Sequence, residues 1–369
     1  MWLPRRLKSR PAVIALAVVA LFLVLSSFAL VNLFKAPKAQ SDPPLRALAD
    51  KLGIHIGSAV SADALSSDAR YAQILSQQFS AITPENEMKW VSVEGQQGVY
   101  TFGPADAEVQ FAQQHQQLVR GHNLVWFSQL PGWLTNGSFT NAQLADILKQ
   151  HIMTEAGHFQ GKIWQWDVVN EPFDEDGTLR QTLWLNALGP DYIADALRWT
   201  READPQAALF LNDYNIEGIG PKSDGLYALI KSLKAQGVPI DGIGFETHLD
   251  LQYDLPPMIK ENFQRFAALG LQLDITEMDV RMALPATPET LAAQANVYAQ
   301  LMQDCLAVRQ CVDFTIWEYT DKYSWIPGYF TGEGAACIYD ESLAPKPAYA
   351  ALLHALENPG PRSMRENQV

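Results

Sequence analysis

Apolar residues fall into eight short runs separated by stretches with helical spacing. The runs cover 54–59, 81–85, 118–126, 163–171, 208–215, 242–249, 272–279 and 312–319. Most stay apolar for several residues and then turn polar at the carboxyl end, as strands buried on both faces of a parallel sheet do. Between them, 105–115, 141–156, 184–201, 225–236, 257–268 and 288–308 repeat apolar positions three and four apart, as helices with one buried face do. Strand and helix alternating eight times predict the α/β class and a single (β/α)8 TIM barrel.

The chain ends stand outside that pattern. Arg5, Arg6, Lys8 and Arg10 precede an apolar run from 12 to 34, broken only by Ser26, Ser27 and Asn32. At 23 residues it exceeds a signal-peptide core and is long enough to span a bilayer, so 1–34 is expected to be a signal peptide or a signal-anchor transmembrane helix. Ser27-Phe28-Ala29 offers a cleavage site. Either outcome exports the rest of the chain, leaving it anchored on the periplasmic or cell-surface side, or secreted. A Pro-rich linker at 35–44, a catalytic domain at 45–357 and a polar tail at 358–369 complete the organisation.

The residues after position 40 hold 21 basic and 41 acidic side chains. That excess repels nucleic acid and suits a monomeric enzyme acting on a neutral polymer. Export permits a disulfide between Cys305 and Cys311; in its absence both would be buried thiols. Cys337 is left over and is expected to be buried.

Two glutamates stand out at the polar ends of apolar runs: Glu171 closes Trp-Gln-Trp-Asp-Val-Val-Asn-Glu, and Glu277 stands in Leu-Asp-Ile-Thr-Glu-Met-Asp. Glycoside hydrolysis needs one carboxyl to protonate the leaving oxygen and one carboxylate facing the anomeric carbon. Strands four and seven of a barrel would carry this pair to the carboxyl-terminal face, where barrel active sites lie. Glu171 is read as acid and then base, Glu277 as nucleophile. Asn170 suits a sugar 2-hydroxyl, and His248 could hold Glu277 ionised. The same face would collect Glu85, Asn86 and Lys89 from strand two, and His122, Trp126 and Gln129 from strand three. Tyr214 and Asn215 come from strand five, and Trp317 and Trp325 from strand eight and its loop. Taken singly, each has an ordinary structural reading, such as a core histidine or a packing tryptophan. Their convergence carries the argument. No cysteine or histidine spacing indicates a metal, and no cofactor is expected.

The motifs Thr-Pro-Glu-Asn-Glu-Met-Lys-Trp (83–90), Arg-Gly-His-Asn-Leu-Val-Trp (120–126), Trp-Asp-Val-Val-Asn-Glu-Pro (166–172), Asn-Asp-Tyr-Asn (212–215), Ile-Thr-Glu-Met-Asp (275–279), Thr-Asp-Lys-Tyr-Ser-Trp (320–325) and Lys-Pro-Ala-Tyr (346–349) occur in this order. Over residues 45–356 the chain resembles the glycoside hydrolase family 10 endo-β-1,4-xylanases. The resemblance implies retaining hydrolysis of xylan, with Glu171 as acid/base and Glu277 as nucleophile. Glu85, Asn86, Lys89, His122, Trp126, Gln129 and Trp325 would bind the non-reducing side. Asn170, His248 and Trp317 would surround the cleaved unit, Tyr214 and Asn215 would bind the aglycone, and Asp279 would support His248. Cys305 and Cys311 sit where many relatives have a disulfide.

Three positions depart from the family pattern: Phe127 for His, Glu246 for Gln and Glu318 for Gly. Glu246 would be a third carboxyl, expected to share a proton with Glu171 and to move the pH optimum. Three other readings stand beside the xylanase. One is an enzyme trimming xylo-oligosaccharides near the membrane. Another is a tethered xylan-binding protein impaired by the three departures. The last is a β-glucanase, which the Trp317 and Trp325 arrangement of the family disfavours.

Overall fold

Eight parallel strands close on themselves in the computed structural model, which describes residues 43–360. They are β1 (His55–Val60), β2 (Ala81–Pro84), β3 (Leu118–Val125), β4 (Gln165–Asn170), β5 (Ala208–Asp213), β6 (Gly242–Phe245), β7 (Gln272–Ala283) and β8 (Cys311–Ile316). Each pairs with its neighbour in sequence order, and β8 pairs with β1, as Ile56 opposite Phe314 shows, so the ring has no free edge. β4 and β7 stand three places apart round the ring. The predicted signal or anchor segment, most of the linker and the tail beyond 360 lie outside the described residues. Among the described residues no helix is long and apolar enough to cross a membrane.

The strands read as apolar runs because helices cover their outer faces while side chains fill the barrel. Close approach decides two positions. A Cβ on Gly121 would meet the Trp166 ring at 2.2 Å, and one on Gly244 would meet Asn212 Oδ1 at 2.1 Å. The interior is not wholly apolar. Arg120 bonds Asp167, Gln165 and Asp274 and lies 4.7 Å from the Phe210 ring. Buried charge survives only when paired and hydrogen-bonded, and this cluster makes a rigid floor beneath the open face.

Two expected elements differ, and several helices appear that were not expected. The helix expected over 184–201 is two, Leu183–Leu188 and Tyr192–Ala203, because Gly189 takes φ 71° and Pro190 follows. The sixth strand stops at Phe245, since Thr247 turns to φ 63°, and His248–Asp250 pairs separately with the extended end of β7. Short helices at Leu45–Leu52, Ala62–Ser67, Ala69–Gln78 and Pro347–Glu357 were not in the expected pattern. Pro347–Glu357 packs on both Pro288–Ala307 and Leu45–Leu52, joining the two ends of the barrel domain. Cys305 and Cys311 form a disulfide, and Cys337 is buried and free.

Candidate active site

The loops after the strands surround a cavity of about 1080 Å³. Ordinary small-ligand sites span roughly 300–1,000 Å³, so this one has room for more than a single sugar. Glu171 and Glu277 both line it, as do Glu85, Asn86, Lys89, His122, Trp126, Gln129, Asn170, Tyr214, Asn215, Glu246, His248, Trp317 and Trp325. Asp279 lies buried just behind that surface.

Backbone geometry aims these groups. β-Bulges interrupt the β3–β4 register between His122 and Val125 and the β4–β5 register between Asp167 and Val169. Gln129, Glu171, Asn215, Thr247 and Glu318 all adopt positive φ. Such left-handed non-glycine residues are strained, and they gather where a site dictates direction. At Glu171 the turn lets the backbone N–H reach Asn212 O at 2.8 Å, which fixes the strand end that presents the carboxyl.

Glu277 sits in a shell of donors. His248 Nε2 is 3.2 Å from its Oε2, Asn212 Nδ2 donates to its Oε1 at 2.8 Å, and His122 Nδ1 is 3.8 Å from Oε1. Burial would raise its pKa, but His122 and then His248 outweigh burial and hold it below the ordinary glutamate value. His248 is oriented by Asp279, whose Oδ2 lies 3.0 Å from Nδ1 and also accepts from Trp325 Nε1 at 2.8 Å. Burial pulls the imidazole down, yet Asp279 and Glu277 push it up to about 10.

Glu171 is the opposite case. Burial first, and the Glu277 charge second, raise it. Asn170 Nδ2 is 3.4 Å from its Oε1, and Arg180 holds the following loop through Glu171 O, Phe173 O and the Tyr214 hydroxyl. The two carboxyls are therefore shifted in opposite directions within one cavity, Glu171 towards holding its proton and Glu277 towards losing it, the division of labour that acid-assisted displacement requires.

Asn212 ties the pair together. Its Oδ1 accepts from Thr276 Oγ1 at 2.7 Å, so its Nδ2 faces three acceptors: Asn170 Oδ1 at 2.8 Å, Glu277 Oε1 at 2.8 Å and Glu246 Oε1 at 3.1 Å. An amide has two N–H bonds to give, and the longest contact falls to Glu246. Burial, then Glu277 and Glu171, push Glu246 well above the usual carboxylate range. The Glu171 charge is among the influences that raise Glu246, so the two carboxyls act on one another through space, and the proton-sharing expected between them is tested by the pH profile of Glu246→Gln. Glu246 bonds Asn212 on β5, while Glu171 is reached by Asn170.

Glu246, His248 and Glu277 also place donor atoms within 4.8 Å of one another. A metal-ligating histidine must be unprotonated, and His248 is pushed up to about 10, so His248 and Glu277 read as an ion pair with the raised Glu246 carboxyl beside them.

The other departures lie differently. Phe127 lines the cavity with the Arg180 guanidinium 4.6 Å from its ring. Glu318 is buried away from the cavity lining. Its left-handed backbone favours glycine by roughly 1–2 kcal/mol, and bonds from the Tyr71 hydroxyl at 2.8 Å and Tyr319 N at 3.0 Å offset that strain. On the near side, Lys89 donates to Asn86 at 3.2 Å and lies 5.4 Å from the Trp126 ring, while burial pushes Glu85 up to about 7.

Sequence reasoning gave no role to Asn212, although it stands in the strand-five motif, and none to Arg180 or Lys222. Lys222 Nζ lies 3.0 Å from Asp213 and 3.4 Å from the centre of the Tyr214 ring. A lone basic residue in a connecting loop, as Arg180 is, or in the first turn of a helix, as Lys222 is, carries no periodic signal.

The family model described as Glycosyl hydrolase family 10 matches residues 44–355. An endo-1,4-beta-xylanase of Agaricus bisporus is 48% identical over 275 residues, 74% of this chain and 82% of that protein. Endo-1,4-beta-xylanase B of Thermotoga neapolitana is 44% identical over 319 residues, 86% of this chain and 92% of that protein. Among solved structures, xylanase 10B of Thermotoga petrophila in complex with xylobiose aligns with a TM-score of 0.83 at 44% identity, covering 85% of this chain and 97% of that one.

Proposed function

The chain belongs to glycosyl hydrolase family 10 and is a glycoside hydrolase of the endo-1,4-β-xylanase kind, and we propose that it cleaves the xylan backbone with retention of configuration. Glu277 attacks the anomeric carbon. The bond to the leaving oxygen breaks, and that oxygen takes the proton of Glu171. Glu171, now a carboxylate, draws a proton from water as the water displaces Glu277, which restores both groups. Asn170 takes the sugar 2-hydroxyl, and His248 keeps the nucleophile charged until bond formation. Trp126, Trp317 and Trp325 offer aromatic faces to apolar sugar C–H surfaces.

The observation that carries this reading is that Glu171 and Glu277 line one cavity with their pKa values pushed in opposite directions. Phe127, Glu246 and Glu318 leave that opposition in place, which speaks against an impaired binding protein. Proton NMR of xylohexaose cleavage tests the reading: retention gives the β-anomer first, and an initial α-anomer overturns it. Export, with the catalytic domain outside the cytoplasm, is proposed from residues 1–34 alone. Amino-terminal sequencing of the mature protein decides between a retained anchor and a cleaved signal.

A further inference from the structure

The chain turns back on itself straight after Glu171. Residues 172–180 form a small hairpin: Asp174 N donates to Thr178 O at 2.9 Å, Arg180 N donates to Pro172 O at 2.8 Å, and Phe173 pairs with Leu179. Phe173 N pins the hairpin to β5 by donating to Asp213 Oδ2 at 3.1 Å. The return leg brings Arg180 beside the residue where the hairpin began. Its Nε donates to Glu171 O at 3.0 Å, and its Nη2 donates to Phe173 O at 2.8 Å and to the Tyr214 hydroxyl at 2.9 Å. Its Nη1 lies 3.5 Å from Asp174 Oδ1.

Glu171 needs such a partner because its backbone stands at φ 52°. A strained residue keeps that conformation where its surroundings over-determine it. Here Asn212 O takes its N–H and Arg180 Nε takes its carbonyl, so both flanking peptide groups are fixed. The carboxyl itself is held more loosely, since Asn170 Nδ2 reaches Oε1 at 3.4 Å. Its aim is therefore set through the backbone. The guanidinium that does this is itself confined. Its edge serves three acceptors, and the Phe127 ring, 4.6 Å away, covers it where the family pattern has a histidine. A histidine would bring competing polar atoms and, when protonated, would repel the guanidinium; phenylalanine does neither.

We propose that Arg180 is a positioning residue for the proton-donating step, locking the left-handed turn at Glu171 so that its carboxyl meets the leaving oxygen. This inference rests on the reading of Glu171 as the acid. The partners of Arg180 gather on the acid's side of the site, while His248 and Asn212 hold the Glu277 carboxylate. Loosening Arg180 therefore disturbs protonation of the leaving group and spares the attack of Glu277. An oxygen that departs readily as an anion needs no proton, so the importance of Arg180 grows with the basicity of the leaving oxygen.

The test compares kcat/KM, which reports the first bond-breaking step, on two substrates. Phenyl β-xylobioside needs a proton on its leaving oxygen, and 2,4-dinitrophenyl β-xylobioside does not. The enzymes are the parent, Arg180→Ala, Arg180→Lys and Glu171→Ala. A misplacement of about 1 Å costs about a hundredfold, so Arg180→Ala should lose about thirty- to a hundredfold more on the phenyl than on the dinitrophenyl substrate. Arg180→Lys keeps the charge without the planar fork and should recover part of that difference. Equal losses on the two substrates, or no loss on either, overturn the inference. Circular dichroism checks folding; should Arg180→Ala not fold, Arg180→Lys decides, with a selective loss of about fivefold expected and an equal or absent loss refuting the proposal. Glu171→Ala separates the two readings. A selective loss there, beside equal losses in the Arg180 variants, sinks the inference alone. An equal loss in Glu171→Ala, or a parent inactive on both substrates, overturns the acid assignment and the inference with it.

Discussion

Asp279→Asn removes a charge while keeping an acceptor. In the structure Asp279 Oδ2 serves both His248 Nδ1 and Trp325 Nε1, and an asparagine oxygen can take the same two bonds. After burial, which lowers the His248 pKa, the Asp279 charge is the largest influence on that imidazole and the main one raising it. Without it His248 becomes largely neutral in the working range, and the charged donor 3.2 Å from Glu277 is lost. Unit charges about 4 Å apart attract by roughly 4 kcal/mol at an effective dielectric near 20, which sets the ceiling of the effect. If about a third survives relaxation and the remaining influence of His122, Glu277 rises by about one pH unit, or roughly 1.4 kcal/mol. Glu277 is the group whose folded pKa is depressed, so the acid limb of kcat/KM should move up by that amount while the alkaline limb, set by Glu171, stays. The assay is kcat/KM on an aryl β-xylobioside from about pH 3 to pH 8. Asp279 Oδ1 is buried without a partner, and an amide N–H2 placed there would cost about 1–3 kcal/mol of stability, so melting is followed in parallel. An acid limb that does not move would refute the argument that Asp279 acts on Glu277 through His248.

Glu246→Gln should leave the alkaline limb within about 0.3 of a pH unit, because burial and the Glu277 charge are what chiefly raise Glu171. A fall of about a unit would mean that an ionised Glu246 had been holding the proton on Glu171. Glu108 is fully buried, and burial, then the neighbouring Glu87, raise its pKa. Its contribution to stability is whole below the ordinary glutamate value and is lost as pH rises towards the raised folded value. Glu108→Gln should therefore raise Tm more at about pH 8 than at about pH 4, and an equal gain at both would contradict this. The Cys305–Cys311 disulfide, at a sequence separation of 6, closes a short loop. The double serine variant should lose about 2 kcal/mol in urea unfolding, and an unchanged midpoint would show that the cross-link constrains nothing.

The strand count, the face that carries the chemistry and the pair Glu171 and Glu277 could be read from the sequence by itself, because strands buried on both faces leave continuous apolar runs and their polar ends mark the loops. Element boundaries were less legible where one residue decided them, as at Gly189 and Thr247. The neighbours brought together by ring closure were not legible at all. Asn212 belongs to β5, yet its amide binds Asn170 on β4, Glu277 on β7 and Glu246 beyond β6, and no spacing along the chain encodes that three-way contact. The protonation states follow from the same convergence, since burial and charge act through space. Arg281 joins Asp250 and Glu333, which lie far apart along the chain, in a contact that neither segment specifies. Local pattern fixes which residues form strands and which end them, because those depend on near neighbours. Which carboxyl holds its proton depends on distances that exist only once the barrel is closed.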